Sequence, residues 1–494
     1  MRARPLMLAR LLAAAATFVL PAILARVLLP ASYGTFKQAW LVASTIRYVL
    51  PLNLPASLYY FVPREPERRR DVVAQVVLLC AALGLVAGIA LLAAGPLLAR
   101  GFANPELDAH LPWIAAFTAL LVAGSPLDAA YAALGRLRAA AVTRVATEVG
   151  RAAAMVVGVL VTRDVTGLFA GILVSSAIRA ALCLGLLGRE FGLVPSRETA
   201  RELLRYALPL AAAFLLAMPQ QQFHQYAVGA AVPAAAFAVY MVGCFQLPLV
   251  DVLYTPVSEI LQLGLAEQDG AGGRGHLALF HEAVSRLAFA LLPAMVVLWV
   301  VAPTFLSFLF GEAYVGAAPV MRLALLSIAF SALPLDGVMR ARAQNRFMLG
   351  VSALRLALTV ALVLAGLRAW GPVGAMAGHL VAEGASRALL LARAARVLGA
   401  TLRTVLPLRD LSRQAAAALA GAPAAWLGLG FASHAFPRLA AAGLLYAAVY
   451  LAALRALGGL DLSFLRPPSR ARPPLREAAA GVSAGGPLSG PHAQ

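Results

Sequence analysis

Seven arginines lie inside long apolar stretches: Arg26, Arg47, Arg151, Arg179, Arg322, Arg355 and Arg387. A guanidinium in that setting has two chemical uses. It can hold phosphate oxygens in a bidentate grip that lysine cannot copy, or it can pair with a carboxylate. Depth separates the seven. Arg47, Arg179 and Arg355 fall near the middle of their runs, whereas Arg26 and Arg322 lie near outer ends and can snorkel. Asp128, Asp251 and Asp336 fall within apolar runs toward the inner end and are the candidates for ion coupling. Arg144, Glu148 and Arg151 share one helix face at i, i+4, i+7, and His379, Glu383 and Arg387 do so at i, i+4, i+8, which allows structural ion pairs as well as a cavity role. Arg47 has no acid within one turn and is the best candidate for an unpaired cation. The run Gln220-Gln221-Gln222-Phe223-His224-Gln225 follows Pro219, which predicts a broken helix beside a water-filled cavity, with the polar end of an ordinary helix as the alternative. The candidate substrate-binding set is therefore Arg26, Arg47, Arg179, Arg355, Gln221 and His224.

Other chemistries lack their residues. The sole lysine, Lys37, stands in Phe36-Lys37-Gln38, so there is no P-loop. His281-Glu282 has no second histidine at metalloprotease spacing. Cys80, Cys183 and Cys244 stand in apolar runs without a CxxC pair and read as small core residues. No metal, cofactor or catalytic residue is expected, and transport would draw on an ion gradient, membrane potential or substrate flux.

The elements that must position these residues follow from composition. The chain has 494 residues, 61% of them hydrophobic and only 13% charged. That is too little charge for the skin of a soluble protein, where about 25% is usual. A cytosolic or secreted enzyme, a nucleic-acid-binding domain and a disordered scaffold are excluded. The net charge of +19 fits basic inner loops first and an anionic ligand second. A spanning helix needs about 20 apolar residues. On that measure the chain divides into about fourteen transmembrane helices, from Leu6–Leu29 and Phe36–Val62 to Gln414–Ala432 and Leu439–Leu454. Basic residues crowd the inner side in Arg68-Arg69-Arg70, Arg136-Leu137-Arg138 and Arg340-Ala341-Arg342. The outer loops hold only Lys37, Arg100, Arg163, Arg368 and Arg438, so both termini are expected in the cytoplasm. The longest outer loop is Ala99–His110, too short for the catalytic loop of a polysaccharide polymerase. The first, Pro30–Thr35, lacks the acidic pair of a lipid-sugar-dependent glycosyltransferase. Gly270–Gly275 reads as a flexible inner loop.

An internal repeat sets the architecture. Ser125-Pro126-Leu127-Asp128 recurs as Leu333-Pro334-Leu335-Asp336. Gly167-Leu168-Phe169-Ala170-Gly171 recurs as Gly374-Ala375-Met376-Ala377-Gly378, with Arg179 and Arg387 following each. The nearly constant separation predicts an all-α, polytopic membrane protein of two pseudo-symmetric six-helix lobes, residues 1–200 and 201–400. Two extra C-terminal helices would occupy 401–460 and a disordered cytoplasmic tail 461–494. Two such lobes leave a cleft, and rocking about it gives alternating access. The Gly-xxx-Gly pairs read as packing contacts.

The segment Leu20-Pro21-Ala22-Ile23-Leu24-Ala25-Arg26-Val27-Leu28-Leu29-Pro30-Ala31-Ser32-Tyr33-Gly34-Thr35-Phe36 resembles the helix 1–2 signature of polysaccharide-exporting, O-antigen-type flippases of lipid-linked oligosaccharides. These are relatives of the peptidoglycan-precursor flippase and of multidrug and toxin extrusion proteins. Leu54-Pro55-Ala56-Ser57-Leu58 resembles the end of their helix 2, and Phe310-Gly311-Glu312-Ala313-Tyr314 through Pro319-Val320-Met321-Arg322 resembles their helix 9–10 junction. Lys37 and the missing acid after Pro30 depart from the commoner Gly-Pro-Glu-Glu-Tyr-Gly form. The resemblance implies a monomeric inner-membrane flippase that passes an anionic polyprenyl-diphosphate-linked oligosaccharide through a cationic cavity between lobes. It would touch membrane lipid and work beside a polymerase or glycosyltransferases, with no nucleic acid as partner. A multidrug or organic-cation exporter of the same superfamily is the alternative. Such an exporter should carry acids in the outer halves of helices 1 and 2, and both helices lack them.

Overall fold

The computed structural model describes residues 18–245, 248–267 and 272–459; the N-terminal part of the first apolar run and the expected tail lie outside them. Among the described residues the chain is all-α, without strands. The first bundle opens with α1 (Phe18–Val27) and α2 (Pro30–Val49). Only Leu28 and Leu29 separate them. Pro30 begins α2 in its first turn, where a missing N–H removes no helical hydrogen bond, and Tyr33 and Phe36 are buried. The stretch Pro30–Thr35, expected as an outer loop, is therefore helical. The run Phe36–Val62, expected as one span, is two helices. Leu52 and Asn53 take left-handed backbone, φ 49° and 59°, and a new helix α3 (Leu54–Arg64) starts after them.

After α4 (Arg69–Gly101), part of the outer segment Ala99–His110 forms a short helix α5 (Pro105–Ala109), capped by the Asn104 side chain accepting from the Glu106 N–H. The next run bends at Gly124-Ser125, before Pro126, into α6 (Leu111–Ala123) and α7 (Pro126–Ala133). A hairpin of α8 (Leu137–Thr162) and α9 (Val165–Leu182) follows. A single π turn, Cys183–Leu187, then leads into α10 (Gly188–Phe191).

The second half begins with α11 (Arg197–Ala231), which passes through both Pro209 and Pro219 without interruption. The break expected at Pro219 is not there: the helix carries the proline, as spanning helices can when neighbours satisfy the freed carbonyl. Next come α12 (Ala234–Gly243), α13 (Pro248–Glu267) and α14 (Gly272–Phe310). Gly272 to Gly275, expected within a flexible loop, belong to the first turn of α14. A 3₁₀ turn at Glu312–Ala317 precedes α15 (Ala318–Ser331) and α16 (Leu335–Ala341). The stretch α17 (Asn345–Val397) is two helices joined at Trp370 and Gly371, where the backbone leaves the helical region and the chain reverses; Gly371 takes φ 61°, ψ −146° and Pro372 follows. The result is a second hairpin like α8–α9. Two last helices, α18 (Leu408–Gly428) and α19 (Ala435–Ala456), pack on each other and on α14.

Among the described residues, eight helical stretches are long and apolar enough to cross a membrane. The difference from about fourteen runs has local causes. α17 is one stretch holding two runs, α1 and α12 are short, and α2, though 20 residues long, carries Lys37, Gln38 and Arg47. α11 carries Gln220–Gln222, and α18 carries Arg409, Asp410 and Arg413.

The two hairpins share one packing device. A Cβ at Gly158 or Gly167 would overlap the carbonyl of the other across α8–α9, and a Cβ at Gly366 or Gly374 would do the same across the halves of α17. Gly171 meets the backbone of Ala154, and Gly378 that of Leu362. The repeated Gly-xxx-Gly pairs let two backbones touch.

Candidate functional site

A cavity of about 230 Å³ opens within the first bundle. Four arginines line it, Arg47, Arg144, Arg151 and Arg179, against two acids, Asp128 and Glu148. Each acid is taken. Arg179 donates to Asp128 Oδ2 at 3.0 Å, to Thr147 Oγ1 at 2.8 Å and to the Gly124 carbonyl at 3.0 Å. Arg151 pairs with Glu148 and lies over the Trp40 ring at 5.2 Å. That leaves Arg47 and Arg144 facing the cavity with no ion pair among the described residues. The Arg47 guanidinium rests 5.5 Å from the Tyr48 ring centroid. Ser176 also lines the cavity, and its buried hydroxyl has no partner.

Helix geometry explains the gathering. Residues 144, 147, 148 and 151 fall on one face of α8 at spacings of three and four. Arg179 reaches them from α9 because Gly124, at the α6–α7 bend, leaves no side chain in its way; a Cβ there would come 3.1 Å from Arg179 Cγ. Asp128 is in the first turn of α7, where the helix dipole favours a carboxylate.

The remaining candidates from sequence are elsewhere. Arg355 and Asp336 belong to a second charged group, on α16 and α17. Arg355 is 3.8 Å from Glu383, and Arg387 is 3.7 Å from Asp336 and 3.8 Å from Glu383. The pair Arg387–Asp336 repeats Arg179–Asp128, the two pairs standing at corresponding places of the sequence repeat. The Tyr254 hydroxyl donates to Asp336 Oδ2 at 3.3 Å. Asp251, on α13, is exposed and makes no ion pair among the described residues. Arg26 is also exposed. It donates to the carbonyls of Leu309 at 3.1 Å and Ser307 at 3.4 Å, and to that of Phe308. It thus caps the end of α14, whose last carbonyls need donors. Gln221 is exposed on α11, whereas His224 is buried, with Nδ1 2.6 Å from the Tyr240 hydroxyl. Neither lines the arginine cavity.

Sequence reading left Arg144, Arg151 and Glu148 out of the candidate set, although their shared face was the available signal. Tyr59, Ser125 and Ser175 complete the wall, and nothing in their local sequence marks them. A second cavity, of about 570 Å³ and almost wholly apolar, lies between α2, α4 and α11; Thr45 and Gln222 meet at its edge, 2.5 Å apart.

Residues 23–319 match the family model described as "Polysaccharide biosynthesis protein". The chain belongs to that family. Among solved structures, this one is similar to a lipid II flippase MurJ in an inward closed conformation, at 13% identity and TM-score 0.73, covering 91% of this chain and 97% of that one. It is also similar to an inward-facing multidrug resistance MATE family transporter of the MOP superfamily, at 14% identity and TM-score 0.63, covering 77% and 94%. A MOP superfamily transporter from Pyrococcus furiosus matches at 16% identity and TM-score 0.53, covering 81% and 95%. No curated protein matches the sequence. At these identities the likeness establishes the fold alone.

Proposed function

We propose that this protein is a flippase carrying a polyprenyl-diphosphate-linked oligosaccharide across the inner membrane for cell-surface polysaccharide synthesis. The observation that carries the reading is the first-bundle cavity, where Arg47 and Arg144 remain unpaired after both acids are engaged. Two uncompensated guanidiniums within spanning helices are costly unless an anion joins them. A diphosphate suits their planar, bidentate geometry, and the hydroxyls of Ser175, Ser176 and Thr147 can accept or donate to a sugar. The MurJ-like fold and the polysaccharide family match agree with such a substrate.

The reading has residues 1–200 and 201–400 as rocking lobes, 401–460 as an appendage and both termini in the cytoplasm. It makes the substrate the driving cargo and leaves no chemical step to the protein. Its partners are membrane lipid and the enzymes that build and polymerise the glycan, and it works as a monomer. Within the substrate set, Arg47 and Arg179 are retained and Arg144 joins them, Arg179 holding the wall through Asp128.

Arg47→Ala in a strain that depends on this gene should abolish surface polysaccharide while the protein accumulates normally in the membrane. Arg47→Lys should restore part of the export. Full export by a stably inserted Arg47→Ala protein would refute the substrate role.

A further inference from the structure

Two histidines meet in the second bundle, away from the arginine cavity. His224 of α11 and His379 of α17 have ring centroids 4.4 Å apart. His224 Nδ1 is 2.6 Å from the Tyr240 hydroxyl. His379 Nδ1 is buried and has no hydrogen-bond partner. A neutral imidazole carries one donor and one acceptor nitrogen, and leaving either unmade in an apolar interior is unfavourable. The pair thus keeps one buried ring nitrogen open, at which a proton can add.

The ionisable groups around the pair are few. α12 contributes Tyr240 and Cys244. α2 contributes Lys37, which stacks on Tyr33 at 5.1 Å and lies close to Cys244. α17 contributes Glu383 and Arg387, one and two turns beyond His379, and Arg355, whose charge reaches His379. Glu383 is the only carboxylate within a turn of the pair on that helix. It is shared by Arg355 and Arg387 at 3.8 Å each, beyond hydrogen-bond range. Arg387 also stands 3.7 Å from Asp336, whereas the counterpart pair in the first bundle, Arg179–Asp128, is hydrogen-bonded at 3.0 Å. The first bundle therefore holds its repeated carboxylate more tightly than the second.

We propose that the His224–His379 pair is the proton-binding site through which a proton gradient drives this protein. A proton from water admitted when the bundles part adds to a lone pair of the imidazole pair, forming one N–H bond and raising the local charge by one. Glu383 then turns toward His379, one turn away along α17, and releases Arg355 and Arg387. Along α17, His379, Glu383 and Arg387 follow one another about 6 Å apart along the helix axis and form a line of ionisable groups inside the bundle, the usual setting of a proton relay. The inference goes beyond the flippase reading, since it concerns the driving ion rather than the cargo.

The test is selective ¹⁵N-histidine labelling of the full chain in nanodiscs, with no substrate present, titrated from pH 9 to 4. The chain holds 7 histidines, so His224→Asn and His379→Asn assign the two signals. In the wild type both rings should change together as one proton enters the pair, and either substitution should abolish the shared curve. Glu383→Gln should shift it, and Arg47→Ala should leave it in place. Proteoliposomes that move a fluorescent polyprenyl diphosphate should run several-fold faster under an imposed pH difference, and His379→Asn should lose that dependence. Two rings that stay neutral throughout, or that titrate independently of each other, would overturn the proposal. The wild-type titration decides this even if a variant fails to fold. Absence of lipid transport with an intact paired titration would count against the flippase reading alone.

Discussion

Replacing Gly34 should open the protein at one end. Gly34 lies in α2 of the first bundle and faces Ala234, the first residue of α12 in the second. A methyl group at Gly34 would overlap the Ala234 carbonyl and come within 3.0 Å of its Cα. The obstruction is backbone, which cannot rotate away as a side chain would. The helices must separate by something on the order of 1 Å, and overpacking of this kind costs about 1–3 kcal/mol. Because the contact joins the two bundles, the penalty falls on the closed arrangement. A bias of that size shifts a two-state balance by roughly 5- to 150-fold. Cys244 reports the change: it is partly buried, next to Lys37 of α2, whereas Cys80 and Cys183 are buried in the first bundle. Maleimide labelling of Cys244 in membranes should accelerate by that factor in Gly34→Ala and further in Gly34→Val. Gly150→Ala, where a Cβ meets nothing within 4 Å, should label like wild type. Equal labelling of Gly34→Val and wild type, with normal export, would show that the contact does not hold the bundles together.

Three further outcomes are expected. Arg26→Ala should lower the thermal unfolding temperature of the detergent-purified protein, by roughly the 1–2 kcal/mol of a lost helix cap, yet leave export measurable; loss of export at unchanged stability would return Arg26 to the substrate set. Asp164 caps α9 outside the span, and hydrogen bonds from the Thr166 hydroxyl and nearby N–H groups hold its carboxyl below the ordinary value. Its stabilising contribution is therefore full above about pH 4 and disappears as pH falls through the lowered value, so acid unfolding curves of wild type and Asp164→Asn should differ near neutral pH and converge in strong acid. Reporter fusions after Leu137 and Arg342 should lie in the cytoplasm and those after Asn104 and Gly316 outside; one side for both Leu137 and Asn104 would contradict the orientation.

Much of the molecule was readable because apolar length and charge depth are one-dimensional quantities. The mid-run positions of Arg47 and Arg179 and the shared face of Arg144, Glu148 and Arg151 led to the cavity. What failed depended on partners far along the chain. Arg179 finds Asp128 and Gly124 on another helix, and Arg26 finds the carbonyl end of α14, almost three hundred positions away. No local pattern records either meeting. The fusion of Pro30–Thr35 into α2 was hidden for a different reason: a proline reads as a loop signal but is equally at home in a helix's first turn. His224 reads as a cavity wall because it stands in the glutamine run after Pro219; its facing ring, His379, is on a helix far along the chain.

The glycine seams of the two hairpins have a mechanical consequence. Where Gly158 meets Gly167 and Gly366 meets Gly374, backbone rests on backbone, so neither helix of a hairpin can slide or roll without its mate. Each hairpin is a stiff double beam. Any bending is then expected at joints outside the beams, at Leu50–Asn53 and at Gly124-Ser125. The duplicated seams impose the same shape in both halves of the molecule. Charges and polar groups on the beams' faces are under no such constraint: one half holds an arginine-lined cavity, while the other packs two imidazoles against each other.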